Sequence, residues 1–174
     1  MTPPETVAAG DLTLRRWRPE HAEPLTAAVR ESLPELKPWL PWAHDGYDLG
    51  DSTGFLAMSA EAWEKGTEFN YGLFDAAGAL LGTAGLMTRL GPGVLEIGYW
   101  TRTTAAGRGH MTAAVRALTA VAFALPGIER TAIRYDATNG ASAAVARKAG
   151  YTEATRLPHE HGPGTDIIAE LHRP

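Results

Sequence analysis

Residues 95–136 carry the pattern that most limits the fold. "LEIGYWT" reads as an apolar strand and "AAGRGHMT" as a loop with two glycines. "RGHMTAAVRALTAVAFAL" then keeps Met111, Ala114, Val115, Leu118, Val121 and Leu125 at helical spacing, and "ERTAIRYDA" reads as a second strand. Strand, long helix and strand in succession form a crossover, right-handed, with the two strands parallel. Upstream, "EFNYGLFD" and "ALLGTAGLMTRL" are strands joined by the short "AAG", and "VLEIGYWT" follows closely. Links that short make antiparallel neighbours. A sheet holding both arrangements is mixed.

The rest of the chain fits around it. "DLTLRRW" alternates as an opening strand, and "RPEHAEPLTAAVRES" keeps Leu25, Ala28, Val29 and Leu33 at helical spacing. In "LPELKPWLPWAHDGYD", Pro34, Pro38 and Pro41 predict turns or one short helix. "DSTGFLAMSAEAWEKG" predicts a helix with Phe55, Met58, Ala62 and Trp63 on its inner side and Gly66 as its stop. "NGASAAVARKAG" is a short helix ending at Gly150, and "YTEATRL" and "TDIIAELHR" are strands around the loop "HEHGPG". No repeat or low-complexity linker divides residues 1–174. The expected fold is a single α/β (α+β) domain with a mixed, mostly antiparallel central sheet of about seven strands flanked by helices.

Composition narrows the function. A net charge of -4 and a pI of about 5.8 give no basic field for a nucleic-acid backbone. The absence of cysteine removes disulfides, thiolate zinc sites and a cysteine nucleophile, and suits a cytoplasmic protein. "MTPPETVAAGD" lacks the basic and apolar regions of a secretory signal, and no apolar run is long enough for a membrane span. "HEHGPG" does not have the His-Glu-x-x-His spacing of a zinc site, so no metal is expected.

The glycine loop has two readings. Gly107 and Gly109 allow either a tight turn or the close approach of a ligand. A helix beginning near Gly109 leaves its first amides without internal partners, and its dipole favours an anion there. Arg108 adds a full charge and Thr112 a hydroxyl. A nucleotide-triphosphatase loop would need Gly-Lys-Ser/Thr after four intervening residues, and no such string exists. The dinucleotide fingerprint fails at its third glycine, where Thr112 stands.

"EIGYW…GRGHMTAAV", followed by "NGASAAVARKAGY" and preceded by "LKPWLPWA", resembles the GNAT superfamily of acetyl-CoA-dependent N-acetyltransferases, and within it the RimJ/RimL type. The likeness runs from Leu12 to Leu171. It implies the GNAT fold, acetyl-CoA as co-substrate, and an amine acceptor that is a protein N-terminus or a small molecule. It implies that Gly107, Arg108, Gly109, His110, Met111 and Thr112 hold the CoA pyrophosphate through backbone amides. It implies that Trp100 and Thr101 bind the pantetheine arm through their main chain and that Asn139 touches the same arm. Ser142 matches the serine that protonates the departing thiolate. The tyrosine that many relatives use instead is replaced by Ala146. Proteins of this type often pair through sheet edges and late strands, so a homodimer is compatible with the resemblance. Thr104 departs from the glutamine or arginine common at its position, and Met111, Thr112 and Ala113 stand where the type often has Ala-Thr-Glu.

Without cysteine the transfer should be direct. A base must then take the amine's proton, and Glu96 is the first candidate, because strand alternation puts it on one face with Gly98 and Trp100. The same carboxylate could instead be structural, paired with Arg89 or Arg134. His44, Asp136 and Glu160 are lesser candidates. Trp39, Trp42 and Asp45 are read as the acceptor-binding surface, aromatic and acidic for a cationic amine. The alternative to an enzyme is a non-catalytic acyl-CoA sensor or interaction domain.

Overall fold

The computed structural model describes residues 2–160 and 162–174. His161, within the loop read as holding no zinc, lies outside them. Eight strands form one sheet: β1 (Thr6–Ala9), β2 (Leu12–Arg16), β3 (Glu68–Phe74), β4 (Leu80–Met87), β5 (Val94–Thr101), β6 (Arg130–Asp136), β7 (Thr152–Pro158) and β8 (Thr165–His172). The helices are α1 (Ala22–Leu36), α2 (Leu49–Lys65), α3 (His110–Ala124) and α4 (Gly140–Lys148). The order across the sheet is β1-β2-β3-β4-β5-β6-β8-β7. β5 and β6 are parallel, as the crossover required, and every other pair is antiparallel.

The sheet therefore has one strand more than expected. β1 is only four residues long and is closed onto β2 by a turn at Gly10, whose φ is 65°. A segment that short, beginning just after two prolines, has too little alternation to be read as a strand. Pro34 does not break its helix either, because α1 continues to Leu36. A proline there forfeits one helical hydrogen bond. Ser32 and Leu36 are buried on either side of it, so tertiary packing holds the last turn.

Strand alternation sorts the core into two layers. Leu95 and Ile97 of β5 join Met111, Ala114, Val115 and Leu118 of α3 in the larger cluster, on the face where α4 also packs. Trp100 joins the smaller cluster of Trp17, Leu25, Val29, Leu36, Leu56 and Phe74, beneath α1 and α2. Helix α2 is capped by Asp48, which accepts from Gly50 N and Asp51 N, and it ends at Gly66 with φ 70°. Its inner face is Ser52, Leu56, Ser59 and Trp63, whereas Met58 is 65% exposed. The expected apolar face was rotated because two of its four inner positions are serines. Ser52 is satisfied by Thr26 Oγ1, which donates to it at 2.7 Å, and by its own bond to the Tyr47 hydroxyl at 3.1 Å.

Gly82 has a specific duty. A Cβ there would fall far inside van der Waals contact of the Trp100 carbonyl oxygen and 3.1 Å from Thr101 Cα. Gly82 thus lets β4 lie close against the end of β5. Gly82→Ala should destabilise the protein by ~1–3 kcal/mol in urea unfolding, the usual scale of overpacking. Gly54→Ala, whose Cβ on α2 meets nothing within 4 Å, should be neutral or stabilising by up to ~1 kcal/mol.

Candidate active site

The site begins where two strands part. β5 and β6 pair only from Val94↔Arg130 to Glu96↔Ala132, yet β5 runs on to Thr101 and β6 to Asp136. Beyond Glu96, β5 keeps its antiparallel partner β4 as far as Thr101, and β6 keeps β8 as far as Asp136. The inner edges of the fork carry main-chain donors and acceptors with no strand opposite. A ligand with amide groups can use them.

A cavity of about 590 Å³ opens from this fork. One wall is the loop after β5. Gly107 and Gly109 have φ of 75° and 80°, and a Cβ at either would meet nothing within 4 Å. Gly109 caps α3 in a left-handed conformation, with no side chain bonded to the first turn. The first amide to find a helical partner is that of Ala113, on the Gly109 carbonyl. Helices α2 and α4, by contrast, have Asp48 and Asn139 as side-chain caps. The start of α3 is therefore a set of unpaired amides at the positive end of a helix dipole, facing open space.

The opposite wall is α4. Asn139 Oδ1 accepts from the Ser142 amide at 3.0 Å, which fixes Ser142 on the first turn. The Tyr99 hydroxyl, reaching across the fork from β5, lies 3.0 Å from Ser142 Oγ and 3.0 Å from the Ser142 carbonyl oxygen. Burial pushes the Tyr99 phenol up to about 12, so it stays protonated at neutral pH.

Of the residues expected to hold a ligand, Trp39, Trp100, Thr101, Gly107, Gly109, His110, Met111, Thr112, Asn139 and Ser142 all line this one cavity. Arg108 stands exposed on the same loop and is not part of the lining. Trp42 sits just outside, its ring 6.1 Å from Trp100 and 6.0 Å from Tyr47. Asp45 is 83% exposed and receives Lys37 Nζ at 2.5 Å, also outside the lining. Glu96 is not brought to the cavity. It is buried at the root of the fork, where Arg89 donates Nε at 2.8 Å and Nη2 at 2.7 Å to its two oxygens. This is the structural pairing that the sequence left open, with Arg89 rather than Arg134 as partner.

Glu160 is exposed and outside the cavity lining, and the other two lesser base candidates are engaged elsewhere. His44 Nε2 is 3.3 Å from Asp51, and Asp136 accepts from the Thr138 hydroxyl and amide, which hold its carboxyl below the ordinary range. Among the described residues, no group of three or more acidic or histidine side chains is placed to hold a metal, and no helix is long and apolar enough to cross a membrane.

Tyr99 and Glu35 are lining residues that escaped the sequence reading. Tyr99 looks like one more core position on an alternating strand. Glu35 is the one carboxylate among the lining residues, and it accepts from Thr103 Oγ1 at 2.9 Å. Only the tertiary approach of α1 to the loop after β5 brings residues 35 and 103 together. That approach is pinned by Glu31, which takes Arg102 Nε at 2.9 Å and Thr104 Oγ1 at 2.7 Å, while the Thr103 amide donates to Ser32 Oγ at 3.0 Å.

The Arg102 guanidinium, then the Thr104 hydroxyl, hold the Glu31 carboxyl down to about 2. A depressed folded value means that the contribution is complete above the ordinary 4.5 and is lost as pH falls toward about 2. Glu31→Gln should therefore be less stable than the parent in urea at about pH 6, and the gap should close on acidification toward about pH 2. The partial exposure of both side chains keeps the gap modest.

Residues 11–152 match the family model described as an acetyltransferase (GNAT) domain. No curated protein matches the sequence significantly. Among solved structures, the microcin self-immunity acetyltransferase MccE, in complex with acetyl-CoA and AMP, superposes with a TM-score of 0.90 at 19% identity, covering 98% of this chain and 97% of its own. The ribosomal-protein α-N-acetyltransferase RimL, in complex with coenzyme A, gives 0.88 at 19% identity, covering 97% and 98%. Mycobacterium smegmatis RimJ, in complex with a CoA disulfide, gives 0.86 at 20% identity, covering 99% and 90%. Identities this low establish the shared fold, and the family-model match across most of the chain establishes the family. The chain belongs to the GNAT acetyltransferases.

Proposed function

We propose that the protein moves an acetyl group from acetyl-CoA directly to a primary amine. The observation that carries this reading is the uncapped start of α3 opening, beside the β5–β6 fork, into one cavity with Asn139 and Ser142. The donor set suits CoA. The amides of residues 107–112 face where a pyrophosphate would bind, with Arg108 nearby as a supplementary charge. The free main-chain edge at Trp100 and Thr101 suits the amides of a pantetheine arm. Asn139 uses its side-chain oxygen on the Ser142 amide, which leaves its N–H donors for the same arm. Lys148, also in the lining, adds a cation at the far wall.

In the transfer, the amine nitrogen bonds to the acetyl carbon, the carbon–sulfur bond breaks, and the electron pair stays on sulfur. Ser142 supplies the hydroxyl that meets the developing thiolate. A backbone amide near Trp100 or Thr101 polarises the carbonyl. The surplus proton of the amine needs an acceptor. We assign this to Glu35, directly or through water, in place of Glu96, whose two oxygens are both taken by Arg89. Trp39 beside Glu35, with the Trp42–Tyr47 pair just beyond, suits a cationic acceptor arriving over an aromatic surface. RimL and MccE act, by name, on ribosomal protein and in microcin immunity. For this chain we assign the shared chemistry, a primary amine. A cysteine-free chain suits the cytoplasm.

Acetyl-CoA at about 100 times its dissociation constant should stabilise the protein by roughly 2.7 kcal/mol, raising Tm by roughly 5–10 °C at ~2–4 °C per kcal/mol. No shift would sink the reading. CoA release, followed as free thiol across a panel of amines and short peptides, then identifies the acceptor. Binding without release on any of them would instead favour the acyl-CoA sensor. With an accepted amine, Glu35→Gln should lower kcat roughly 100-fold or more, as expected for losing a general base, and leave the KM for acetyl-CoA within about twofold. An unchanged kcat would remove Glu35 from the mechanism.

A further inference from the structure

Ser142 does not act alone. The Tyr99 hydroxyl has one proton and two acceptors at equal distance, the Ser142 carbonyl oxygen and Ser142 Oγ, both at 3.0 Å. Two hydrogen-bond arrangements follow. In one, the phenol donates to the carbonyl and the serine O–H turns back onto the phenol oxygen. Ser142 then offers nothing to the cavity. In the other, the phenol donates to Ser142 Oγ and the serine O–H is released into the cavity. Only the second makes Ser142 a donor to a ligand.

From this geometry we propose that Tyr99 is a positioning residue for the transfer, donating to Ser142 Oγ so that the Ser142 hydroxyl is held as a hydrogen-bond donor toward the sulfur of CoA. The inference rests on the acetyltransferase reading above. As negative charge gathers on sulfur it favours the chain Tyr99 O–H to Ser142 O–H to sulfur, in which each bond polarises the next. No proton has to change heavy atoms for this stabilisation. The phenol suits the task because burial keeps it protonated well above neutral pH. Ser142 is restrained from the other side as well, by the bond from its amide to Asn139 Oδ1. Tyr99 is set on β5, and Ser142 and Asn139 on and before α4, so the contact also ties the two sides of the fork together.

The test needs no acceptor. The probes are CoA and desulfo-CoA, whose binding is measured by calorimetry from about pH 6 to about pH 10, across the range where a thiol titrates. His110, Lys148 and Glu35 face the same cavity and affect both probes, so the ratio of the two affinities isolates the sulfur. In the parent protein CoA should gain on desulfo-CoA as the thiolate forms. In Tyr99→Phe, which keeps the ring, that gain should shrink roughly tenfold, with desulfo-CoA affinity unchanged. Ser142→Ala should lose the same gain, and the double variant should lose little more, because the two side chains act as one unit. Ultraviolet absorbance of the bound thiolate should report the same order. If Tyr99→Phe keeps the full gain, or if the two losses simply add, Tyr99 only packs and the inference is wrong. If the parent binds CoA but never prefers it to desulfo-CoA, the inference again fails while the cofactor site stands. If neither probe binds the parent, the acetyltransferase reading itself fails.

Discussion

The fork between β5 and β6 is the constraint on which the rest depends. A parallel pair in the middle of a sheet would ordinarily continue, because every unpaired main-chain group loses a hydrogen bond. Here the pairing stops at Glu96↔Ala132 and both strands run on. The arrangement is tolerated because each strand stays bonded on its outer side, β5 to β4 and β6 to β8. Only one edge of each is released, and the end of β5, Tyr99 to Thr101, lines the cavity where solvent or a ligand can reach it. Gly82, by letting β4 follow β5 closely to its end, keeps the outer ladder intact where the inner one is missing.

The same economy governs the helix ends. The start of α2, away from the cavity, is closed by a side chain, Asp48, and that of α4 by Asn139. Where the cavity needs donors, at α3, the chain supplies a left-handed glycine and no cap. A serine or aspartate at residue 109 would stabilise an isolated helix and occupy the very amides that an anion needs. Asn139 does both jobs, since capping α4 consumes one atom of its carboxamide and leaves the rest.

Much of this was legible in the chain. The crossover, the meander, the loop and the helices follow from periods of two and 3.6 residues, which are local properties. What escaped depends on distant partners. β1 is a strand because β2 and its hairpin turn make it one, and α1 outlasts Pro34 because Ser32 and Leu36 are buried. The inner face of α2 includes two serines that no hydrophobic pattern would choose; the structure satisfies Ser52 through Thr26 and Tyr47. Glu35 and Tyr99 belong to the site through contacts with residues 103 and 142, separations of 68 and 43 residues that no short motif spans.

Glu96 shows how the same residue type can be read correctly in place and differently in role. Alternation put it on the face of Trp100 and its burial is real. A buried carboxylate is tolerable only with a close partner, and Arg89 fills both oxygens. The pair sits where the parallel ladder ends, so it fastens the last bonded residue of the fork instead of entering the cavity. Three residues further along the same strand, Tyr99 points to the other face and meets Ser142 across the gap. One strand thus carries the anchor that ends the pairing and the hydroxyl that spans the opening, and their opposite directions follow from the pleat alone.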